Sequence, residues 1–294
     1  MVTVRKRVIG GGTYYYLEHS VRMNGRVEKK ATYLGKALPK NVEEIKKDFL
    51  HSIYEERWFK TFDIIRKNFA KERRLMPKSA GEEELRKFSV RFTYDTQRIE
   101  GSVLTLRETA NLLEIGVTPL GKPVQDIKEA EAHQNILYEI LRFHRDLSLQ
   151  TILYWHKRLF ESTKKDIAGR IRQHQVAISG SKFVPPSPAE VYPLLREFFK
   201  WYEGSKKKLH PVELAALVHL KFVTIHPFAD GNGRISRLIM NFVLNKQSLP
   251  MLNIPYKNRN NYYNALERSQ VKRQDSVFLQ WLFKRYVKEY TRYI

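Results

Sequence analysis

No cysteine occurs in the 294 residues. Disulfides, thiolate nucleophiles and sulfur-ligated metals are therefore excluded, which leaves histidine and carboxylate as the available bases and ligands. There is no run of about 18 apolar residues, so no segment reads as a membrane span. The basic start Arg5-Lys6-Arg7 precedes no apolar stretch long enough for a secretory signal, and the expectation is a cytoplasmic chain. Negative charge is scarce: 31 Asp and Glu stand against 53 Lys and Arg, a formal net charge of +22. Such a field attracts nucleic acid, acidic proteins and nucleotides alike. The cations are nevertheless scattered, with only short clusters such as Lys71 to Arg74 and Lys206 to Lys208, and no recognition-helix or zinc-finger pattern is present. A solvated basic surface is the favoured account, and nucleic acid is not a favoured partner.

What is present suffices for a sizeable core, since 42% of residues are hydrophobic and 12% aromatic. The simplest partition is a small β unit over residues 1–38 and a mainly α domain over residues 39–294. In the first, Tyr14, Tyr15, Tyr16 and Leu17 follow a Gly10-Gly11-Gly12 turn, and Asn24-Gly25 is a hairpin signal before Arg26 to Leu34. These segments predict a three-stranded antiparallel meander. Alone it would be marginal, so it must pack on the rest of the chain, bind a partner or mediate self-association into a homo-oligomer. Beyond it, Ile45, Phe49, Ile53, Trp58, Phe62 and Ile65 recur at helical spacing, and so do Leu85, Phe88 and Phe92. Thr105 and Glu108 form a capping box at the head of a further helix. His133, His144 and His156 have no partners at metal-ligand spacing and read as structural.

The chemistry concentrates in one stretch, His226-Pro227-Phe228-Ala229-Asp230-Gly231-Asn232-Gly233-Arg234, followed by Ile235-Ser236-Arg237. Gly231 and Gly233 flank Asn232 in a turn that opens a helix. Glycine lets the backbone curl its N–H groups around an anion while the helix dipole adds positive potential, which makes a phosphate cradle. Arg234 and Arg237 lie three apart in the first helical turn and can each present a guanidinium fork to phosphate. Asp230 is the natural ligand for a magnesium ion bridging phosphates. His226 has the side chain whose ordinary pKa suits a general base near neutrality.

This run resembles, without a substitution, the signature of the Fic family, His-x-Phe-x-(Asp/Glu)-Gly-Asn-Gly-Arg-x-x-Arg. The resemblance implies a helical Fic fold with a β-hairpin flap. It also implies transfer of AMP from ATP, with magnesium or manganese, to a Ser, Thr or Tyr hydroxyl of a target protein. His226 would be the base, Asp230 the metal ligand, and Gly231, Asn232, Gly233, Arg234 and Arg237 the phosphate-binding set. Asp230 argues against the Doc-type kinase branch, whose matching position is lysine. The same scaffold leaves open removal of AMP or transfer of another phosphate-containing group, and the basic surface leaves open a nucleic-acid-binding regulator.

Three further stretches gain meaning beside that signature. Thr96-Gln97-Arg98-Ile99-Glu100-Gly101 closes a helix and resembles the family's inhibitory motif, (Ser/Thr)-x-x-x-Glu-(Gly/Asn). The resemblance implies that Glu100 pairs with Arg237 and takes the guanidinium meant for the ATP γ-phosphate. Alternation around Gly180-Ser181 predicts a short hairpin over residues 173–186, whose edge at Val176, Ala177 and Ile178 could bind an extended target by strand addition. Either Tyr262 or Tyr263 could cover an adenine face. The resemblance favours Tyr263 and leaves adenine contact at Gln270 in doubt.

Overall fold

The computed structural model describes residues 2–23 and 26–294. The Asn24-Gly25 turn signal lies outside the described residues. By its internal contacts the chain divides into two compact units, residues 1–65 with Ile294, and residues 66–293.

The first unit opens with three antiparallel strands in the order β1 (Thr3–Ile9), β2 (Gly12–Met23) and β3 (Arg26–Gly35). Tyr16 of β2 lies opposite Arg5 on one side and Tyr33 on the other, and a bulge between Tyr15 and Tyr16 shifts the β2–β3 register. Because alternate residues face opposite sides of a strand, Leu17 and Val21 are buried while Tyr14, Tyr16 and Ser20 turn to the other face. Helix α1 (Val42–Tyr54) follows, then a π-helical turn at Glu55–Phe59. Lys30 of β3 donates to Glu56 Oε1 at 2.8 Å, tying that turn to the sheet.

Helix α2 (Lys60–Leu75) carries the chain into the second unit, and Pro77 precedes α3 (Lys78–Ile99). The unit is then all helix and loop: α4 (Leu106–Ile115), α5 (Val124–Arg142), α6 (Leu149–Phe160), α7 (Pro188–Ser205), α8 (Pro211–Ile225), α9 (Asn232–Lys246), α10 (Arg259–Lys272) and α11 (Asp275–Glu289). The capping box heads α4 as the sequence predicts: Thr105 N donates to Glu108 Oε2 at 2.8 Å, and Glu108 N donates to Thr105 Oγ1 at 3.2 Å.

Two helices make the centre. The sequence of α8, Pro-Val-Glu-Leu-Ala-Ala-Leu-Val-His-Leu-Lys-Phe-Val-Thr-Ile, is apolar nearly all round, and such a helix is buried on every side. Helix α9 is buried from Arg234 to Leu244. The two pack more extensively on each other than any other helix pair, with α7 and α11 against α8 and with α3, α5 and α6 against α9. The residues between them, 226–231, form a short loop fixed at both ends by the most deeply buried helices in the unit.

The predicted hairpin over residues 173–186 is not formed. Among the described residues the only strands are β1 to β3, and this segment is a loop with a turn at Ile178–Ser181, where Ser181 N donates to Ile178 O at 3.1 Å. Pro185 and Pro186 have no N–H to give to a ladder. The limbs are joined instead through a side chain, Gln175 Nε2 donating to Pro185 O at 3.0 Å.

Candidate active site

His226 ends α8 in the left-handed region, φ +52°, its N–H donating to Phe222 O at 3.1 Å. A non-glycine residue there is uncommon, and the turn it makes throws the imidazole out of the helix line. Nδ1 lies 3.1 Å from Val223 O. A carbonyl can only accept, so Nδ1 carries the proton and Nε2 presents a lone pair. Burial lowers the His226 pKa, with Arg172 adding to the effect against the opposing pull of the Val223 carbonyl, Glu100 and Asp230. The ring is therefore neutral near pH 7, as a base must be.

The loop then folds back on itself. Asn232 Oδ1 accepts from Phe228 N at 2.9 Å and Nδ2 donates to Phe228 O at 2.8 Å. The Asn232 side chain thus braces the loop from inside, leaving only its backbone for an anion. His156 of α6 stacks on Phe228 with ring centroids 3.7 Å apart. Its Nδ1 accepts from Gly169 N at 2.9 Å, so Nε2 donates to Asp230 O at 3.0 Å. Burial holds His156 down to about 4, and it serves as a neutral strut. Gly231 has φ +80°, and a side chain there would run into Phe160.

Asp230 is enclosed by cations. Lys164 Nζ lies 2.5 Å from Oδ2 and Arg234 Nη2 lies 2.9 Å from Oδ1, which also accepts from Gly231 N at 2.5 Å. Burial alone would raise its pKa, but Arg234, Lys164 and that N–H outweigh it and bring the carboxyl to about 2. Arg234 itself is 3% exposed and also pairs with Glu129 of α5. It is anchored between two carboxylates, which corrects its expected place among the phosphate-facing forks. Its charge holds Asp230 and α5 in position.

Arg237 is 1% exposed and pairs with Glu100, the residue just past the end of α3. Nη1 donates to Tyr262 Oη at 3.2 Å and Nη2 reaches Thr96 O at 3.5 Å. Glu100 and Tyr262 together raise the Arg237 pKa despite burial, which alone would lower it. The Glu100 carboxylate also lies directly over Gly233, where any side chain would collide with it. One carboxylate thus covers the first turn of α9 at Gly233 and occupies Arg237. Thr96 contributes its carbonyl; its buried hydroxyl has no hydrogen-bond partner among the described residues. Gly101 follows with φ +101°, turning the chain out of α3.

Tyr262 does not cover a base. It is 1% exposed, and its hydroxyl lies 3.0 Å from His219 Nε2 as well as on Arg237. Tyr263 is 43% exposed and donates to Ile99 O at 2.7 Å, which ties α10 to the end of α3. Gln270 Nε2 donates to Thr224 Oγ1 at 3.2 Å, in the lining of a cavity of about 390 Å³ with Phe198, Trp201, Leu220 and Lys221. Val176, Ala177 and Ile178 lie on the loop limb described above.

Sequence reasoning did not single out Lys164, Glu129 or Arg172. Arg172 is buried and spans three carbonyls: Nε donates to His226 O at 2.8 Å, Nη1 to His174 O at 3.0 Å and Nη2 to Pro186 O at 2.5 Å. It clamps both limbs of the 173–186 loop to the backbone of the candidate base.

Residues 146–244 match the Fic/DOC family, so the match takes in α6, α7, α8, the 226–231 loop and all but the last two residues of α9. The chain belongs to the Fic/DOC family. It is 35% identical over 178 residues to protein adenylyltransferase Fic of Drosophila yakuba, covering 59% of this chain and 36% of that protein. It is 31% identical over 227 residues to protein adenylyltransferase fic-1 of Caenorhabditis briggsae, covering 74% of this chain and 43% of that one. This Fic chain therefore spans less than half the length of these curated relatives. Among solved structures, a Fic-domain-containing signaling protein from Bacteroides thetaiotaomicron superposes with a TM-score of 0.69 at 29% identity, over 78% of this chain and 94% of that one. The mainly helical Fic fold follows from these likenesses together with the helix order.

Proposed function

We propose that this Fic domain transfers AMP from ATP to a hydroxyl of a target protein, and that Glu100 keeps the activity low. The supporting names are those of the adenylyltransferases it resembles. The observation that carries the reading is the convergence, on one short loop and the first turn of α9, of a neutral His226, an ionised Asp230 and the Gly231–Gly233 backbone beside Arg237.

In this reading the triphosphate lies over the N–H groups that begin α9, which have no intrahelical partners, and Arg237 takes a phosphate oxygen in place of Glu100. His226 Nε2 accepts the proton of the target hydroxyl. The hydroxyl oxygen bonds to the α-phosphorus as the bond to the bridging oxygen breaks, and pyrophosphate leaves with its electron pair. A lone ionised carboxylate beside a phosphate cradle suits magnesium, which keeps most of its ligands as phosphate and water. Asp230 would hold that ion, which supplies charge neutralisation on the phosphates, and Lys164 would give up one carboxylate oxygen. Manganese would fit the same donors.

The test is label transfer by Glu100→Gly, with α-labelled against γ-labelled ATP. Protein labelled only from the α position, and more strongly than in the parent, supports AMP transfer held back by Glu100. Label from the γ position would mean phosphate transfer and would overturn the reaction; equal α-labelling of variant and parent would overturn the inhibition.

A further inference from the structure

The site above draws on α3, α5, α6 and α8 to α10 and leaves the first unit without a role. One face of its sheet is neither apolar nor simply solvated. Directly opposed residues share a face, so the pairings Arg5–Tyr16, Arg7–Tyr14, Tyr16–Tyr33 and Ser20–Lys29 put three tyrosines and three cations on the same side. The rings form one group, Tyr16 and Tyr14 lying 5.3 and 6.3 Å from Tyr33 by their centroids. The Arg7 guanidinium sits over the Tyr16 ring at 4.6 Å. Tyr33 is 53% exposed, so the group opens to solvent.

Beside the rings, Arg5, Arg7 and Lys29 converge on one carboxylate, Glu18, at 3.9 Å for Arg5 Nε and 2.7 Å for Lys29 Nζ, with Arg7 in direct contact. Three positive charges against one negative leave an excess of two. Their side chains remain 45% to 66% exposed. The Glu18 carboxyl is pulled below its ordinary range by Lys29 and Arg7. An aromatic platform edged by surplus cations complements a chain of stacked rings carried on a regular anionic backbone. An acidic peptide would use the cations and leave the rings idle.

We propose that the Arg5, Arg7, Tyr14, Tyr16, Lys29 and Tyr33 face of the β1–β3 sheet binds single-stranded nucleic acid. A base stacks on the exposed Tyr33, which Tyr16 and Tyr14 support, and phosphates lie along Arg5, Arg7 and Lys29. The flexible strand fits better than a duplex, whose bases are already stacked on one another and cannot reach the rings. The proposal is independent of AMP transfer and uses none of the residues of the α8–α9 loop.

The experiment is fluorescence anisotropy of the full chain at low salt with fluorescein-labelled oligo(dT) and oligo(U), each about 12 nucleotides long. A duplex of equal length and polyglutamate serve as competitors. Single strands should bind, and Tyr33→Ala should weaken binding about tenfold, roughly the loss of one stacked base. Tyr33→Phe should keep the parent affinity, and Glu18→Gln should tighten binding by removing the opposing charge. Far-UV circular dichroism checks that each variant keeps its fold, and label transfer by Tyr33→Ala should equal that of the parent. The proposal is overturned by any of four results: no single-strand binding at low salt, equal binding by folded Tyr33→Ala, a duplex that competes better than single strands, or polyglutamate that competes as well as the oligonucleotides.

Discussion

Glu100 acts on two quantities with opposite signs. In the proposed function it blocks the cradle, and it also neutralises a cation that is otherwise buried. Stripping one partner from a fully buried ion pair costs about 3–5 kcal/mol. Glu100 is a quarter exposed, and Arg237 keeps Tyr262 Oη and Thr96 O as acceptors, so about 1–3 kcal/mol is expected here. Glu100→Gly should therefore gain activity and lose melting temperature together. ATP with magnesium should restore more of the melting temperature in the variant than in the parent, since a bound phosphate returns a counter-charge to Arg237. Differential scanning fluorimetry with and without nucleotide measures this, and equal shifts in both proteins would contradict it. At His226, burial lowers the pKa, so the acid limb of kcat/KM against pH should have its midpoint below 6.5. His226→Ala should reduce turnover by at least about 100-fold, the usual contribution of a general base.

The loop at residues 173–186 depends on one arginine. Arg172 satisfies carbonyls at both of its limbs and at His226, so it positions the base and the loop as one piece. Arg172→Lys keeps the charge but cannot span three acceptors with one ammonium. We expect a fall in kcat of tenfold or more with the melting temperature within a few degrees of the parent. Arg172→Gln should move the acid limb toward higher pH, because the cation that helps depress His226 is gone; an unmoved limb would leave Arg172 with packing alone. Such elements also mark what could be read in advance. The α4 cap, the glycine turn that opens α9 and the Glu100–Arg237 pair were legible, because each rests on local spacing or on an unbroken motif. Lys164, Glu129 and Arg172 were not, because they meet Asp230, Arg234 and His226 across 66, 105 and 54 positions of chain, and nothing local distinguishes them from other charged residues. Tyr262 was misplaced for the reason its ring is buried: an aromatic pair on a helix does not show which member faces inward. The hairpin was misjudged because alternation predicts strands only where both limbs can exchange N–H groups.

Across the second unit, buried histidines should make that unit acid-sensitive. Burial holds His133 to about 3 and His156 to about 4, and keeps His219 well below its ordinary value. Between pH 6.5 and 4 the unfolded chain takes up protons that the folded chain refuses, so stability falls as pH falls through that window. Glu213 runs the other way. Burial raises it to about 7, so between pH 4.5 and 7 the folded chain holds a proton that the unfolded chain has lost, and stability falls as pH rises. Several histidines should outweigh one glutamate. Urea midpoints should decline from pH 7 to 4.5, and more steeply in Glu213→Gln, where the opposing group is gone; a flat profile would contradict the burial of the histidines. The Asp230 carboxyl, at about 2, contributes stability above its unfolded pKa and loses it only in stronger acid.

The arrangement around Arg237 bears on how quickly the protein could be roused. Tyr262 and the Thr96 carbonyl accept from the guanidinium alongside Glu100, and Glu100 stands one residue beyond the final turn of α3. If Glu100 restrains the proposed activity, release calls for one side chain to swing aside from Arg237. On that reading the remaining groups are already assembled, and the latch should open without any helix being remade.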